Sequence, residues 1–156
     1  MVVDPVVENA DDRKRWLSTL AKAPAKDVVA AWNALSERPD YRALRASEIG
    51  MVLVRGRMGG GGGAFNLGEM TVTRAAVRLE SGETGIAYVA GRDRRHAELA
   101  AAVDAMMQSS HWRPAVEGAV VERLSREQAE RRDLAARKAA ATKVDFYTMV
   151  RDRSPG

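Results

Sequence analysis

Apolar and polar residues alternate with two different periods along the chain, and the changes of period divide it into three stretches. The first has the period of a helix. Trp16, Leu17 and Leu20 lie one turn apart behind Asp11 and Asp12, either of which can N-cap the segment. Pro24 can open a second helix at its first position, with Val28, Ala31, Trp32 and Leu35 on one face. Pro39 and Asp40 end this predicted hairpin. From Tyr41 the period falls to two, and strands are predicted over residues 41–46, 49–57, 70–79 and 85–90. Ser47-Glu48 and Ser81-Gly82-Glu83 read as tight turns, and a glycine-rich link joins the middle pair. Connections this short favour an antiparallel meander.

The helical period returns at Asp93, a candidate cap. His96, Leu99, Ala100, Val103, Met106 and Met107 then form one stripe as far as about Ser109, before Pro114 breaks the helix. A long helix is predicted from about Val116 to Thr142, with Glu122–Arg126, Glu127–Arg131 and Asp133–Arg137 at the stabilising i, i+4 spacing. Beyond Leu124 it offers only Leu134 and alanines to bury. It leads into a dense apolar segment, residues 144–150, which must cover its own sheet or another chain. The expected fold class is α+β: an antiparallel sheet of about four strands, an N-terminal helical hairpin, a central helix, and a long C-terminal helix with an apolar tail. The expected organisation is a flexible arm over residues 1–10, a single α+β domain over 11–142, and a C-terminal docking segment over 143–156. Phe146, Tyr147, Met149 and Val150 are the docking residues.

Composition narrows the chemistry. There is no cysteine, which excludes disulfides and thiolate metal sites, and two histidines are too few for the usual zinc clusters. No apolar run approaches the roughly 20 residues of a membrane helix. The N-terminus carries acids where a secretory signal would be apolar. The expectation is a cytoplasmic protein with no membrane partner. The net charge of +4 makes anionic partners plausible. The surplus is local: four arginines face only Glu48 between Tyr41 and Met58, and seven basic residues face four acids between Glu122 and Lys143. Aromatics are 5% of the chain, a thin supply for base stacking, so nucleic acid is not an expected partner.

Three constellations are candidates for binding. The run Arg57-Met-Gly-Gly-Gly-Gly-Gly63 has neither the Lys-Ser/Thr of a P-loop nor a following helix. Its glycines, Gly59 and Gly60 among them, either make a flexible hairpin link or let backbone N–H groups approach an anion or a partner. Arg55 and Arg57 share one strand face, and Arg74 and Arg78, about 13 Å apart, share another. If the strands pair, four guanidiniums could line one side of the sheet, to be solvated or to fork onto phosphates or carboxylates. At the head of the central helix, Arg92, Arg94 and Arg95 surround an N-terminus that would attract anions. Arg94 and Arg95 oppose the helix dipole and so are not there for helix stability. His96 heads the apolar stripe, which favours a hydrogen-bonded structural histidine over an acid or base. No catalytic triad, carboxylate pair or metal motif can be assembled. The catalytic residue set is therefore expected to be empty, with no metal. The binding candidates are Arg57, Gly59, Gly60, Arg74, Arg78, Arg92, Arg95 and His96.

Five motifs in order carry a resemblance. They are Arg57-Met-Gly-Gly60, Thr71-Val-Thr-Arg-Ala-Ala-Val-Arg-Leu79, Gly91-Arg-Asp-x-x-His-Ala-Glu98, Asp104-Ala-x-Met-Gln108 and Val144-Asp-Phe-Tyr-Thr-Met-Val-Arg151. Together they resemble PhnG, the G-subunit family of the carbon–phosphorus lyase core complex, from about Arg15 to Arg151. The five-glycine run and the acidic arm depart from that pattern. The resemblance implies a part in bacterial use of phosphonates, within a twofold-symmetric complex holding two copies each of G, H, I and J subunits. With the ATPase-like L subunit, G, H and I support transfer of methylphosphonate onto the ribose of ATP. Adenine is displaced, giving alpha-D-ribose 1-methylphosphonate 5-triphosphate. The I subunit is implied as the catalyst of that step. J, with an iron–sulfur cluster and S-adenosylmethionine, is implied to cleave the C–P bond. No catalytic residue carries over to this chain. The expectation is an accessory subunit of a transferase complex, not catalytic alone, that binds no cofactor itself while ATP serves the complex as substrate. The alternative is a free-standing anion- or nucleic-acid-binding module that uses an arginine-rich sheet face.

Overall fold

The computed structural model describes residues 10–143. Most of the predicted N-terminal arm and the docking residues Phe146, Tyr147, Met149 and Val150 lie outside the described residues. Helices α1, Ala10–Lys22, and α2, Ala25–Asn33, form the predicted hairpin. Trp16, Leu20, Val28, Ala31, Trp32 and Leu35 are all buried, as the helical spacing requires. The helix starts are shifted slightly from expectation. Helix α1 already runs at Ala10, so Asp11 and Asp12 stand in its first turn, where they favour the dipole instead of capping. Pro24 occupies the N-cap of α2 with extended ψ of 138°.

Among the described residues the sheet has three strands, not four: β1, Tyr41–Arg57, β2, Ala64–Leu79, and β3, Thr84–Ala90, antiparallel in the order β1-β2-β3. Two predicted strands are one because Ser47-Glu48 makes a bulge and not a turn. The register slips between Ala43 and Arg45 and again between Arg45 and Glu48, and pairing with β2 then resumes at Glu48↔Arg74. The bulge is held from outside, since Arg94 Nη1 donates to the Ser47 carbonyl at 2.6 Å. Strand β2 also begins six residues earlier than the predicted Met70, pairing from Ala64 opposite Arg57. Strand β3 covers only Val72–Arg78 of β2. Beyond it, β1 and β2 continue alone as a two-stranded arm whose tip is the glycine run.

Helix α3, Arg94–Met107, lies on one face of the sheet. Asp93 caps it as predicted, its carboxylate accepting from His96 N–H at 2.8 Å. The stripe expected on one side is only part of the burial: Ala97 and every residue from Leu99 to Met107 are buried. A helix this buried must be covered all round. The sheet covers one side, and α1, α2 and α4, Arg113–Val116, cover the rest. The last helical run starts earlier than predicted, with Pro114 in the first turn of α4, and passes through a π-helical stretch, Glu117–Glu122, into α5, Arg123–Ala141. Val116, Val120 and Leu124 are fully buried at a spacing of four. An α-helix drifts by about 40° over four residues, and the wider π turn reduces that drift so that all three face the core. The i, i+4 pairing also differs from expectation. Glu127 accepts from Arg123 at 3.0 Å, while Arg131 reaches Asp27 of α2 at 3.0 Å. From Glu130 to Lys143 every residue is exposed, so the end of α5 stands away from the body.

Candidate functional site

The four strand arginines do not share one side of the sheet. Between Glu48 and Arg57 strand β1 alternates without an extra residue, so Arg55 and Arg57 point opposite to Glu48. Glu48 and its bonded partner Arg74 lie on the face that no described helix covers, with Arg78. Arg57 is moreover nine residues along β1 from Glu48, roughly 30 Å away. The expected arginine face is therefore divided between two faces and two ends. Arg74 donates through Nε and Nη2 to Glu48 Oε2 at 3.0 and 2.7 Å, and Arg45 lies 3.0 Å from the other oxygen of Glu48. The hydrogen bond from Arg74, reinforced by Arg45, holds the Glu48 carboxyl below the usual carboxylate range. Because its folded pKa is depressed, this pair is complete above the ordinary carboxylate pKa of about 4.3 and is lost as pH falls through the folded value. Arg74→Gln is expected to raise the Glu48 titration midpoint measured by carboxyl-carbon NMR. An unchanged midpoint would show that Arg74 does not set it.

Arg78 stands directly opposite Arg42 across the β1–β2 pair, a like-charge juxtaposition that disfavours the sheet. Asp40 and Glu80 line the same cleft and moderate it. At the tip, Arg57 Nη1 donates to the Gly62 carbonyl at 3.2 Å, and Gly62 N–H donates to the Met58 carbonyl at 3.0 Å. Gly59 and Gly60 have φ of 59° and 78°, which explains two of the glycines by the turn itself.

At the head of α3, Arg94 holds the Ser47 bulge, and Arg95 lies 3.3 Å from the Tyr41 hydroxyl and 3.5 Å from Glu98. The Tyr41 hydroxyl in turn donates to Glu98 Oε1 at 2.8 Å; burial first, then that bond, push the phenol up from its ordinary pKa. Arg92 is exposed. His96, kept among the binding candidates, is the hydrogen-bonded structural histidine that its place at the head of the stripe favoured: its ring is buried and Nε2–H donates to the Leu20 carbonyl at 2.8 Å. Of the five arginines considered for binding, Arg74 and Arg95 are thus paired, each with a carboxylate of its own chain.

The most densely bonded group was not singled out from the sequence. Asp104 is fully buried on α3. One oxygen accepts from Arg13 Nε at 3.1 Å and Trp16 Nε1 at 2.8 Å; the other accepts from Arg13 Nη2 at 2.8 Å and Ile86 N–H at 2.9 Å. These four bonds tie α1 and β3 to α3. The available signal was an acid in the middle of the apolar run from Ala100 to Met107. Among the described residues no group of three His, Asp or Glu side chains is placed to hold a metal ion.

The geometry defines a small α+β protein, with buried and cross-strand charges that brace its own elements and a projecting two-stranded arm that exposes large apolar side chains. The family model for "Phosphonate metabolism protein PhnG" matches residues 11–152. The chain is 45% identical over 139 residues to "Alpha-D-ribose 1-methylphosphonate 5-triphosphate synthase subunit PhnG" of Rhizobium meliloti (strain 1021), covering 89% of this chain and 88% of that protein. The chain belongs to the PhnG family of phosphonate metabolism proteins, as the five motifs implied. No described helix is long and apolar enough to cross a membrane.

Proposed function

We propose that this chain is an accessory subunit of the carbon–phosphorus lyase core complex, supporting synthesis of alpha-D-ribose 1-methylphosphonate 5-triphosphate from ATP and methylphosphonate. The observation that carries this is the match to a subunit of that synthase over nearly the whole of both chains. The internal pairing of Arg74, Arg95, Asp104 and His96 supports a framework role. In this reading the partners are H, I and J subunits, two copies of each, with L acting alongside. ATP is a substrate of the assembly, this chain holds no cofactor, and the complex works in the cytoplasm. Phe146, Tyr147, Met149 and Val150 would dock on a partner.

Two assays test the proposal. The purified chain with ATP and methylphosphonate is expected to release no adenine, whereas co-expressed subunits including L should release it. Leaving this chain out should reduce that release at least tenfold. Turnover by the chain alone, or full turnover without it, would overturn the reading.

A further inference from the structure

The two-stranded arm is the part of this fold that its own contacts explain least. A lone hairpin is at best marginally stable in water, and exposed flat ribbons invite pairing. This one extends about 20 Å from Met51 to Arg57. No described helix covers either of its faces. The face continuous with the core mixes Met51 and Leu53 with Glu69, Arg55 and Arg57; the other is apolar, carrying Val52, Val54, Phe65 and Met70, with Leu67 folded over Gly56. Of the eleven large apolar side chains left exposed among the described residues, six are on the arm, and Met58 at 78%, Met51 at 67%, Leu67 at 66% and Leu53 at 62% are the four most exposed. Concentrated exposure of this kind marks a contact surface, whereas scattered residues would not.

We infer that the β1–β2 arm is a clasp that inserts into an apolar cleft of a different subunit, with carboxylates of that subunit meeting Arg55 and Arg57 near the tip. This rests on the subunit reading above. Size favours it: roughly twenty residues of arm and tip fall in the range of about 20–30 residues that one side of a standard interface uses. Charge selects the occupant. The arm carries two arginines, Arg55 and Arg57, against one acid, Glu69, so a second copy laid on the same strip would bring two surpluses of positive charge together. A partner cleft rimmed by acids meets no such repulsion. The strand edges of the arm, which no described strand pairs, also offer N–H and C=O groups to an extended segment of the partner.

The test uses the full chain co-expressed with the other synthase subunits, measuring assembly by native mass spectrometry and affinity by titration. Met51→Asp with Leu67→Asp, one change on each face, should weaken association at least 30-fold. The milder Met51→Ala with Leu53→Ala should weaken it severalfold. Melting temperatures of the free variants should match the parent, because these side chains are exposed. If the parent chain does not assemble, the subunit reading itself fails. If the parent assembles and both variants assemble equally well, the clasp is overturned. A free parent chain that sediments as a dimer and becomes a monomer on Met51→Asp, Leu67→Asp would also overturn it, since the occupant would then be a second copy.

Discussion

Replacing Asp104 by alanine is expected to destabilise the fold by about 3–5 kcal/mol, a large part of the roughly 5–15 kcal/mol that holds a domain together. The change strands three groups at once. The Trp16 indole N–H and the Ile86 amide lose their acceptor, and the Arg13 guanidinium is left without its counter-charge. Burial makes the loss expensive, because Asp104 is fully enclosed. Arg13→Met should cost a comparable amount, since the fully buried Asp104 carboxylate keeps its two other donors but loses its counter-charge. Asp104→Asn should also destabilise, its amide turning N–H groups toward donors. Urea unfolding of the three variants reads these costs directly. A loss below about 1 kcal/mol for Asp104→Ala would mean that the carboxylate is not the tie between α1, β3 and α3.

Gly85→Ala is the second large effect, and its cause is steric. Strand β3 crosses α3 so closely that a β-carbon on Gly85 would stand 1.9 Å from the Ala101 carbonyl oxygen and 2.5 Å from the Ala105 nitrogen. Both obstacles are backbone, so no rotamer change relieves them. The helix face beneath, Ala97, Ala101 and Ala105, is already reduced to the smallest side chains that keep a helix regular. Strand and helix would have to part, opening the core, at a cost of roughly 3 kcal/mol or more. Gly82→Ala makes the comparison: its φ of 110° strains an alanine, but open space surrounds it, so about 1–2 kcal/mol is expected. Equal melting temperatures for Gly85→Ala and the parent would show that the two elements are not locked at this crossing.

These two sites show how legibility divides. Asp104 and Gly85 are visible in the sequence as an acid in an apolar run and as the first residue of a predicted strand. Neither position says what it will meet. Arg13 is 91 residues from Asp104, and the helix turn that requires Gly85 lies a full element away. Local pattern reports which face of an element is apolar; it does not report the element packed on that face.

What the sequence by itself determined about this protein is its class, its element order and its family. The 3.6-residue stripes of α1, α2 and α3 and the alternation of β2 and β3 are set by burial on one side, which leaves a periodic trace. The five ordered motifs carried the family. Tertiary structure alone decided the rest. Ser47-Glu48 could be a turn or a bulge from local residues; the register with Arg74 and the grip of Arg94 made it a bulge and joined two strands into one. The arginines of β1 and β2 could share a face until pairing put Arg55 and Arg57 opposite to Arg74 and Arg78. The arm followed from the shortness of β3, which covers only the root of a longer hairpin. In each case the deciding interaction joins residues far apart in the chain, and alternation within a strand is the same whichever neighbour the strand finds.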